Sequence, residues 1–348
     1  MAKAKELLIV GAGLTGSLTA SLLSRSSVQA NITVWDKARG CGGRFTTSYS
    51  DNDRSLHVDM GAQYLTRCLE TSENKVKNDV YKELLDASIL TPFQGMIEGS
   101  KHSHNDKHYV APKGMSSICR HFLDHSKASV QFKRCLKSVS INGGRVLCAA
   151  ESGIEEIFDG LILTLPAPQL LQLQGNLLSS RAATDIVSNL SSVKYSSRYA
   201  LGLFYNAETV HSSPGMFDSP WSAKYCDHPV IRYMSWDQLK RGAETPGATL
   251  LVHTSVPFGI KQLNTDKDQV KGQLLEMVGE MMPGLPQSSH SYLLRWRYSQ
   301  VQDKFPGLHD FVVMSQDPLV VATGDSFSGS NFENCLRAAM HTSEFIAQ

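Results

Sequence analysis

The sequence predicts an α/β fold: a Rossmann-like nucleotide-binding domain on a parallel sheet, joined to a second, mixed α+β domain. Three observations predict it. The apolar run Leu7-Leu8-Ile9-Val10 passes straight into Gly11-Ala12-Gly13-Leu14-Thr15-Gly16, a G-x-G-x-x-G turn. A second run, Asn31–Trp35, alternates and is rich in β-branched residues; it ends in Asp36, about 20 residues past the glycines, where the dinucleotide fingerprint places an acid. Near the C-terminus Pro318–Thr323 is again strand-like and closes on Gly324-Asp325, so the chain returns to the domain in which it began.

Each element follows from its residues. An unbroken apolar run closed by glycine reads as a strand buried on both faces. Leu14, Leu18 and Leu22 recur at helical spacing and predict an amphipathic helix. Gly11 permits the tight turn, Gly13 lets backbone meet a pyrophosphate, and Gly16 lets helix and strand pack closely. The free N–H groups at the helix start hold phosphate. Asp36 accepts hydrogen bonds from both ribose hydroxyls of an adenosine and repels a 2′-phosphate; a surface acid after a buried turn is the plain structural alternative. After Lys37, Gly42-Gly43-Arg44 adds a second glycine turn and a fork of donors suited to a diphosphate.

His57–Leu65 contains Asp59-Met60-Gly61-Ala62, whose small residues allow close approach of backbone. Residues 76–90 predict an amphipathic helix with Val80, Leu84 and Leu85 inward. His102, His104 and His108 lie among turn-forming residues at 95–110, which predicts a polar hairpin and no metal site. A helix with Met115, Ile118 and Phe122 inward precedes short strands at 129–134, 136–141, 145–150 and 155–158, and a buried strand at Leu161–Leu165 ends at Pro166. Strands at 198–205 and 249–256 alternate with helices near 179–190 and 266–282. At the C-terminus Ser330 and Glu333 form a capping-box pattern before a helical face of Leu336, Ala339, Met340 and Ser343. The domain division read from this is 1–75, 106–175 and 311–348 for the cofactor domain, with 76–105 and 176–310 for the substrate domain.

Composition narrows the function. Among 348 residues hydrophobic content is 41%, charged content 19% and net charge +1, without basic runs, which argues against a nucleic-acid partner. No segment approaches the ~20 apolar residues of a membrane span. The apolar run after Lys3 and Lys5 belongs to the nucleotide turn, so a removable signal peptide is not expected. The seven cysteines are scattered without C-x-x-C, which suits a reduced, cytoplasmic protein. No Ser/His/Asp grouping or metal motif is present, so the residues alone name no catalytic side chain.

With acid, spacer and Gly-Gly-Arg in place, the chain resembles the flavin-dependent amine oxidases, whose FAD domain is of the p-hydroxybenzoate hydroxylase type. It is more closely similar to their relatives the renalase family. The stretches that carry this are Gly11–Leu18, Val34–Lys37, Gly42–Arg44, Gly61–Tyr64, Val110–Pro112, Leu171–Gly175, Tyr195–Phe204, Val256–Gly259 and Pro283–Gln287. The resemblance implies non-covalent FAD. Gly11, Gly13, Thr15, Gly16, Asp36, Lys37, Gly43, Arg44, Gly61, Ala62, Gln63, Tyr64 and Asp325 would hold it, and the C-terminal helix start would face the ring. It implies a small-molecule substrate, an isomeric dihydronicotinamide dinucleotide (α-NAD(P)H or the 2- and 6-dihydro forms), oxidised to β-NAD(P)⁺ with O₂ giving H₂O₂. It also implies a secreted form. Arg198, Tyr199 and Trp296 are the expected substrate residues; in a strand Arg198 and Tyr199 face opposite sides. A flavin monoamine oxidase and a signalling protein retaining the fold are the alternatives.

Overall fold

A computed structural model of the chain describes residues 4–67, 75–101, 105–179, 183–218 and 220–348. It divides into two compact units, one of Met1–Gly43, Ile118–Tyr195 and Gln300–Gln348, the other of Arg44–Ser117 and Ser196–Ser299.

The first unit is built on a six-stranded sheet in the order Phe311–Ser315, Leu319–Thr323, Gly160–Leu163, Lys5–Val10 (β1), Ala30–Asp36 (β2), Ser129–Phe132. All neighbours are parallel except the first pair. Val10 is in register with both Leu163 and Trp35, so the three strands end together beside the glycine turn. A separate antiparallel sheet is formed by Leu136–Asn142, Arg145–Ala150 and Glu155–Phe158. One core of strand residues, including Leu8, Trp35, Leu161, Leu163 and Val320, joins it to the parallel sheet.

The helix after the glycine turn, Leu14–Ser24 (α1), departs from the amphipathic expectation. Thr15, Ser17, Thr19, Ala20 and Ser21 are buried along with Leu14, Leu18 and Leu23. The reason is that the C-terminal helix, Phe332–Ile346, packs along the side of α1 expected to face solvent. Small hydroxyl residues allow the close approach and turn inward: Ser17 donates to the Leu14 carbonyl at 3.0 Å and Thr19 to that of Thr15 at 2.8 Å. The C-terminal helix is capped by Asn331, which accepts from the Asn334 N–H at 2.7 Å, and not by Ser330. Ser330 instead donates to Asp325 at 2.7 Å.

The second unit has a six-stranded sheet in the order His290–Trp296, Arg198–Tyr205, Ala248–Thr254, Ile231–Trp236, Trp221–Tyr225, Met96–Glu98, antiparallel but for the last pair. One face carries Tyr199, Leu201, Leu203 and Leu250 into a core that includes Val270 and Leu274 of the Lys267–Met281 helix. The other carries Ala200, Phe204 and Leu251 against Leu56, Val58 and Met60. Residues 44–67 and 106–117 therefore group with this unit, and 176–195 and 300–310 with the first, unlike the division drawn from sequence. The hairpin expected at 95–110 is not one: Met96–Glu98 joins the large sheet, while Lys107–Val110 pairs with Leu65–Arg67 and Thr91–Pro92. His102 and His104 lie outside the described residues. Among the described residues no helix is long and apolar enough to cross a membrane.

The packing of α1 yields a prediction. Ser21 is 2% exposed, and among the described residues its hydroxyl has no hydrogen-bond partner. Ser21→Ala removes a desolvated hydroxyl and improves helix propensity, so stability is expected to rise by about 1 kcal/mol. Thermal denaturation checks this; a fall in Tm contradicts it.

Candidate cofactor and substrate sites

In the first unit the glycines of the turn have different reasons to be glycine. Gly11 has φ +115°, and a Cβ there would collide with Thr164 Oγ1; a Cβ on Gly16 would collide with the Gly11 carbonyl. Gly13 has an ordinary φ of −80°, and the nearest atom to a Cβ there would be 3.9 Å away. Protein packing therefore does not require glycine at 13. Its bare backbone fits a diphosphate laid against it, with the start of α1 left free of any side-chain cap. Thr15 is buried in that first turn.

The second glycine turn lies alongside. The Gly42 N–H donates to the Ala12 carbonyl at 2.9 Å, and Gly13 and Gly42 form a parallel bridge. Asp36 links the parts: one carboxylate oxygen accepts the Ala12 N–H and the other the Ala38 N–H, both at 2.7 Å. Each oxygen keeps a lone pair for a ribose hydroxyl. Lys37 and Gly43 are exposed. Asp325 is buried, accepting from Ser330 and, at 3.4 Å, from the Tyr195 hydroxyl.

In the second unit Arg44 and the 59–64 segment form one piece. The Ala62 N–H donates to the Arg44 carbonyl at 2.9 Å, and a Cβ on Gly61 would run into that same carbonyl. Gly61 is thus demanded by Arg44. Gln63 spends its whole side chain inside the unit. Its amide nitrogen donates to the carbonyls of Asp59 (2.6 Å) and Gly61 (2.9 Å); its oxygen accepts from Lys240 Nζ (3.0 Å) and Ser235 Oγ (3.1 Å).

Beneath it lies a buried ion cluster that sequence reasoning missed. Lys240 Nζ is 2.7 Å from Asp237 and 3.4 Å from Asp59; Arg241 donates to both carboxylates, at 3.0 Å for Asp237. All four side chains are at most 3% exposed. Asp237 also accepts the Asp59 N–H at 2.7 Å, and Asp59 accepts the Met115 N–H at 2.8 Å. Burial alone would push the Asp59 carboxyl up, but the Arg241 and Lys240 charges hold it below its ordinary value.

The sheet face above this segment collects aromatic and basic residues. Arg198 and Trp296 are direct partners in register, and His253 pairs with both Ala200 and Tyr233. The Met60 carbonyl, one residue before Gly61, accepts from Trp296 Nε1 at 2.8 Å and contacts His253 Nε2 at 3.1 Å. Trp296 is only half-buried. The His253 imidazole is packed round by protein, and burial pushes its pKa down to about 4. It is neutral at physiological pH and donates to Met60 through Nε2. The Tyr64 hydroxyl lies 2.6 Å from that of Tyr225, and its ring meets Phe93 and His108 edge-on. Tyr199 stands apart on the opposite face, fully buried, its hydroxyl donating to the Gln262 carbonyl at 2.7 Å. A cavity of about 690 Å³ opens on that opposite side, lined by Met216, Trp221, Met234, Met281 and Met282. Among the described residues no cluster of His, Cys, Asp and Glu could hold a metal ion.

The glycine geometry separates folding from ligand binding. Gly16→Ala is expected to unfold the first unit or cost several kcal/mol, since backbone must move. Gly13→Ala is expected to leave Tm near wild type and abolish flavin retention on purification. Retained flavin in Gly13→Ala contradicts the cradle.

Comparison with known proteins shows the family and the fold. Residues 9–84 match the NAD(P)-binding Rossmann-like domain and residues 100–346 the flavin containing amine oxidoreductase family. Mouse renalase is 38% identical over 345 residues, covering 96% of each chain. Among solved structures, a putative protoporphyrinogen oxidase from Exiguobacterium sp. 255-15 aligns at TM-score 0.74 and 12% identity over 100% of this chain and 99% of its own. Cyclohexylamine oxidase from Brevibacterium oxydans IH-35A aligns at 0.70 and 11% over 99% of both. The Gly13 cradle and Asp36 fit the adenine-nucleotide half of FAD. The chain belongs to the flavin containing amine oxidoreductases, and within them to the renalase family, as an FAD-dependent oxidoreductase.

Proposed function

We propose that the chain oxidises isomeric dihydronicotinamide dinucleotides, α-NAD(P)H and the 2- and 6-dihydro forms, to β-NAD(P)⁺. A hydride leaves the dihydropyridine ring, and with one proton O₂ becomes H₂O₂; the 2- and 6-dihydro forms give β-NAD(P)⁺ directly, and α-NAD(P)H gives it only with anomerisation of the dihydro form at the ribosyl carbon. The cofactor, FAD, supplies when bound a two-electron acceptor at N5 and the path to O₂. The residues do the rest, which is to stack the donor ring, orient it and exclude water.

The observation that supports this reading is the Trp296 wall. Its ring is half-buried, and its N–H is fixed on the Met60 carbonyl beside Gly61 and Ala62. A flat apolar surface held by one hydrogen bond suits stacking of a dihydropyridine. No general base is required, because the substrate is already a hydride donor. The surrounding groups agree: Lys240 spends its ammonium on Asp237, Asp59 and Gln63, and His253 spends its Nε2–H on the Met60 carbonyl.

The amine-oxidase reading has an observation in its favour, the aromatic set Tyr64, Tyr225, Tyr233 and Trp296. Against it, Arg198 and Arg232 put positive charge beside those rings and repel a cationic amine. Six described cysteines are free thiols, which supports work in a reducing compartment.

Anaerobic stopped-flow mixing tests the proposal. α-NADH is expected to bleach the flavin rapidly and putrescine or benzylamine to leave it oxidised; the reverse pattern overturns the reading. Acid precipitation is expected to release the flavin to the supernatant. Trp296→Ala is expected to slow reduction about tenfold, for loss of a stacking surface worth about 1 kcal/mol or more, with Tm within a few degrees of wild type. A large fall in Tm with normal reduction removes Trp296 from the site.

A further inference from the structure

We propose that Arg232, together with Arg198, forms the phosphate subsite of this same substrate face, gripping the dinucleotide part while Trp296 stacks the ring; this rests on the substrate reading above. Four observations carry it.

Arg232 sits at an irregularity in its strand. The register slips between Ile231 and Tyr233, and such a slip re-aims a side chain. Ile231 packs in one core of the sheet and Tyr233 in the other. The Arg232 guanidinium is turned onto the Tyr233 side, 5.5 Å from the Tyr225 ring centre. Its hydrogen bond is a long one, to the Cys226 carbonyl at 3.3 Å. Among the described residues no carboxylate pairs with it.

Arg198 occupies the same face, in register with Trp296. Burial first, and then the like charge of Arg232, hold Arg198 below its ordinary value. Two guanidiniums that repel each other beside aromatic rings make a locus that an anion relieves. Tyr233, 4% exposed, meets the Tyr225 ring edge-on at 5.1 Å and so fixes the aromatic floor over which the Arg232 guanidinium lies.

The anion follows from the substrate's chemistry. The nicotinamide ring and its carboxamide carry no negative charge, so phosphate esters are the only anions a dihydronicotinamide dinucleotide offers. These come from two sources, the bridging diphosphate and the 2′-phosphate of the NADP series, and both present oxygens suited to guanidinium forks.

The test is anaerobic flavin reduction in the holoenzyme of wild type, Arg232→Met and Arg232→Lys. The donors are α-NADH, α-NADPH and the phosphate-free dihydronicotinamide riboside. Arg232→Met is expected to raise the half-saturating concentration of the dinucleotides about tenfold or more, with less than about a twofold change for the riboside, and lysine to restore part of the loss. A rise for both dinucleotides assigns the diphosphate; a rise for α-NADPH alone assigns the 2′-phosphate. No rise, or an equal rise for the riboside, overturns the subsite. A second arm needs no turnover: inorganic pyrophosphate is expected to raise the Tm of wild-type holoenzyme and not that of Arg232→Met. If none of the three donors reduces wild type, the substrate reading fails, and the pyrophosphate arm alone decides the subsite; equal shifts or none overturn it.

Discussion

The second unit depends on four charges held out of water. Asp59 and Asp237 each meet both Lys240 and Arg241, and the cluster extends through Gln63 to the carbonyls of Asp59 and Gly61. Such a cluster contributes little net stability compared with a well-packed apolar core, because desolvating the ions is expensive; removing one partner, however, costs about 3–5 kcal/mol. What it provides is a single position for the 59–64 segment. From that position the Met60 carbonyl meets both Trp296 and His253, and Gly61 and Ala62 close on Arg44.

The two units divide the chemistry in the way their residues suggest. The first offers a proposed cradle for phosphate and ribose made of backbone: glycine turns, a helix start and one carboxylate that staples the turns together. The second is made of side chains on a sheet face, an aromatic wall and basic groups, fixed from beneath by the ion cluster. This fits an oxidoreductase in which the cofactor performs the electron transfer. Its proposed substrate then needs positioning and charge recognition more than acid–base catalysis.

Sequence carried the first unit almost completely, because its signals are local. The G-x-G-x-x-G turn and the acid at the end of β2 lie within a few tens of residues, and the returning strand, about 300 residues on, is marked by its own apolar run and the Gly324-Asp325 that closes it. The miss at α1 has a physical cause: burial by a helix more than 300 residues away leaves no trace in the local pattern of Leu14, Leu18 and Leu22. The capping box failed by one residue because Asn331, adjacent to Ser330, is an equally good cap. The second unit was less legible. Asp237, Lys240 and Arg241 show helical spacing of opposite charges, a pattern that ordinarily means a solvated face. Only the fold reveals that they are buried with Asp59, nearly 180 residues away. Of the three expected substrate residues, Arg198 and Trp296 are cross-strand partners, a pairing that only the sheet reveals, while Tyr199 lies in the core on the other face, as strand alternation requires of one of the Arg198–Tyr199 pair. The strand slip that aims Arg232 is invisible without the sheet.

Amide hydrogen exchange on wild type and Lys240→Met tests most directly whether the buried charges set the position of the substrate face. The account predicts that the variant loses protection across 57–64 by about a hundredfold or more, while the β1 strand Lys5–Val10 keeps its wild-type protection. Unchanged exchange at 57–64, or a loss shared equally by Lys5–Val10, contradicts it.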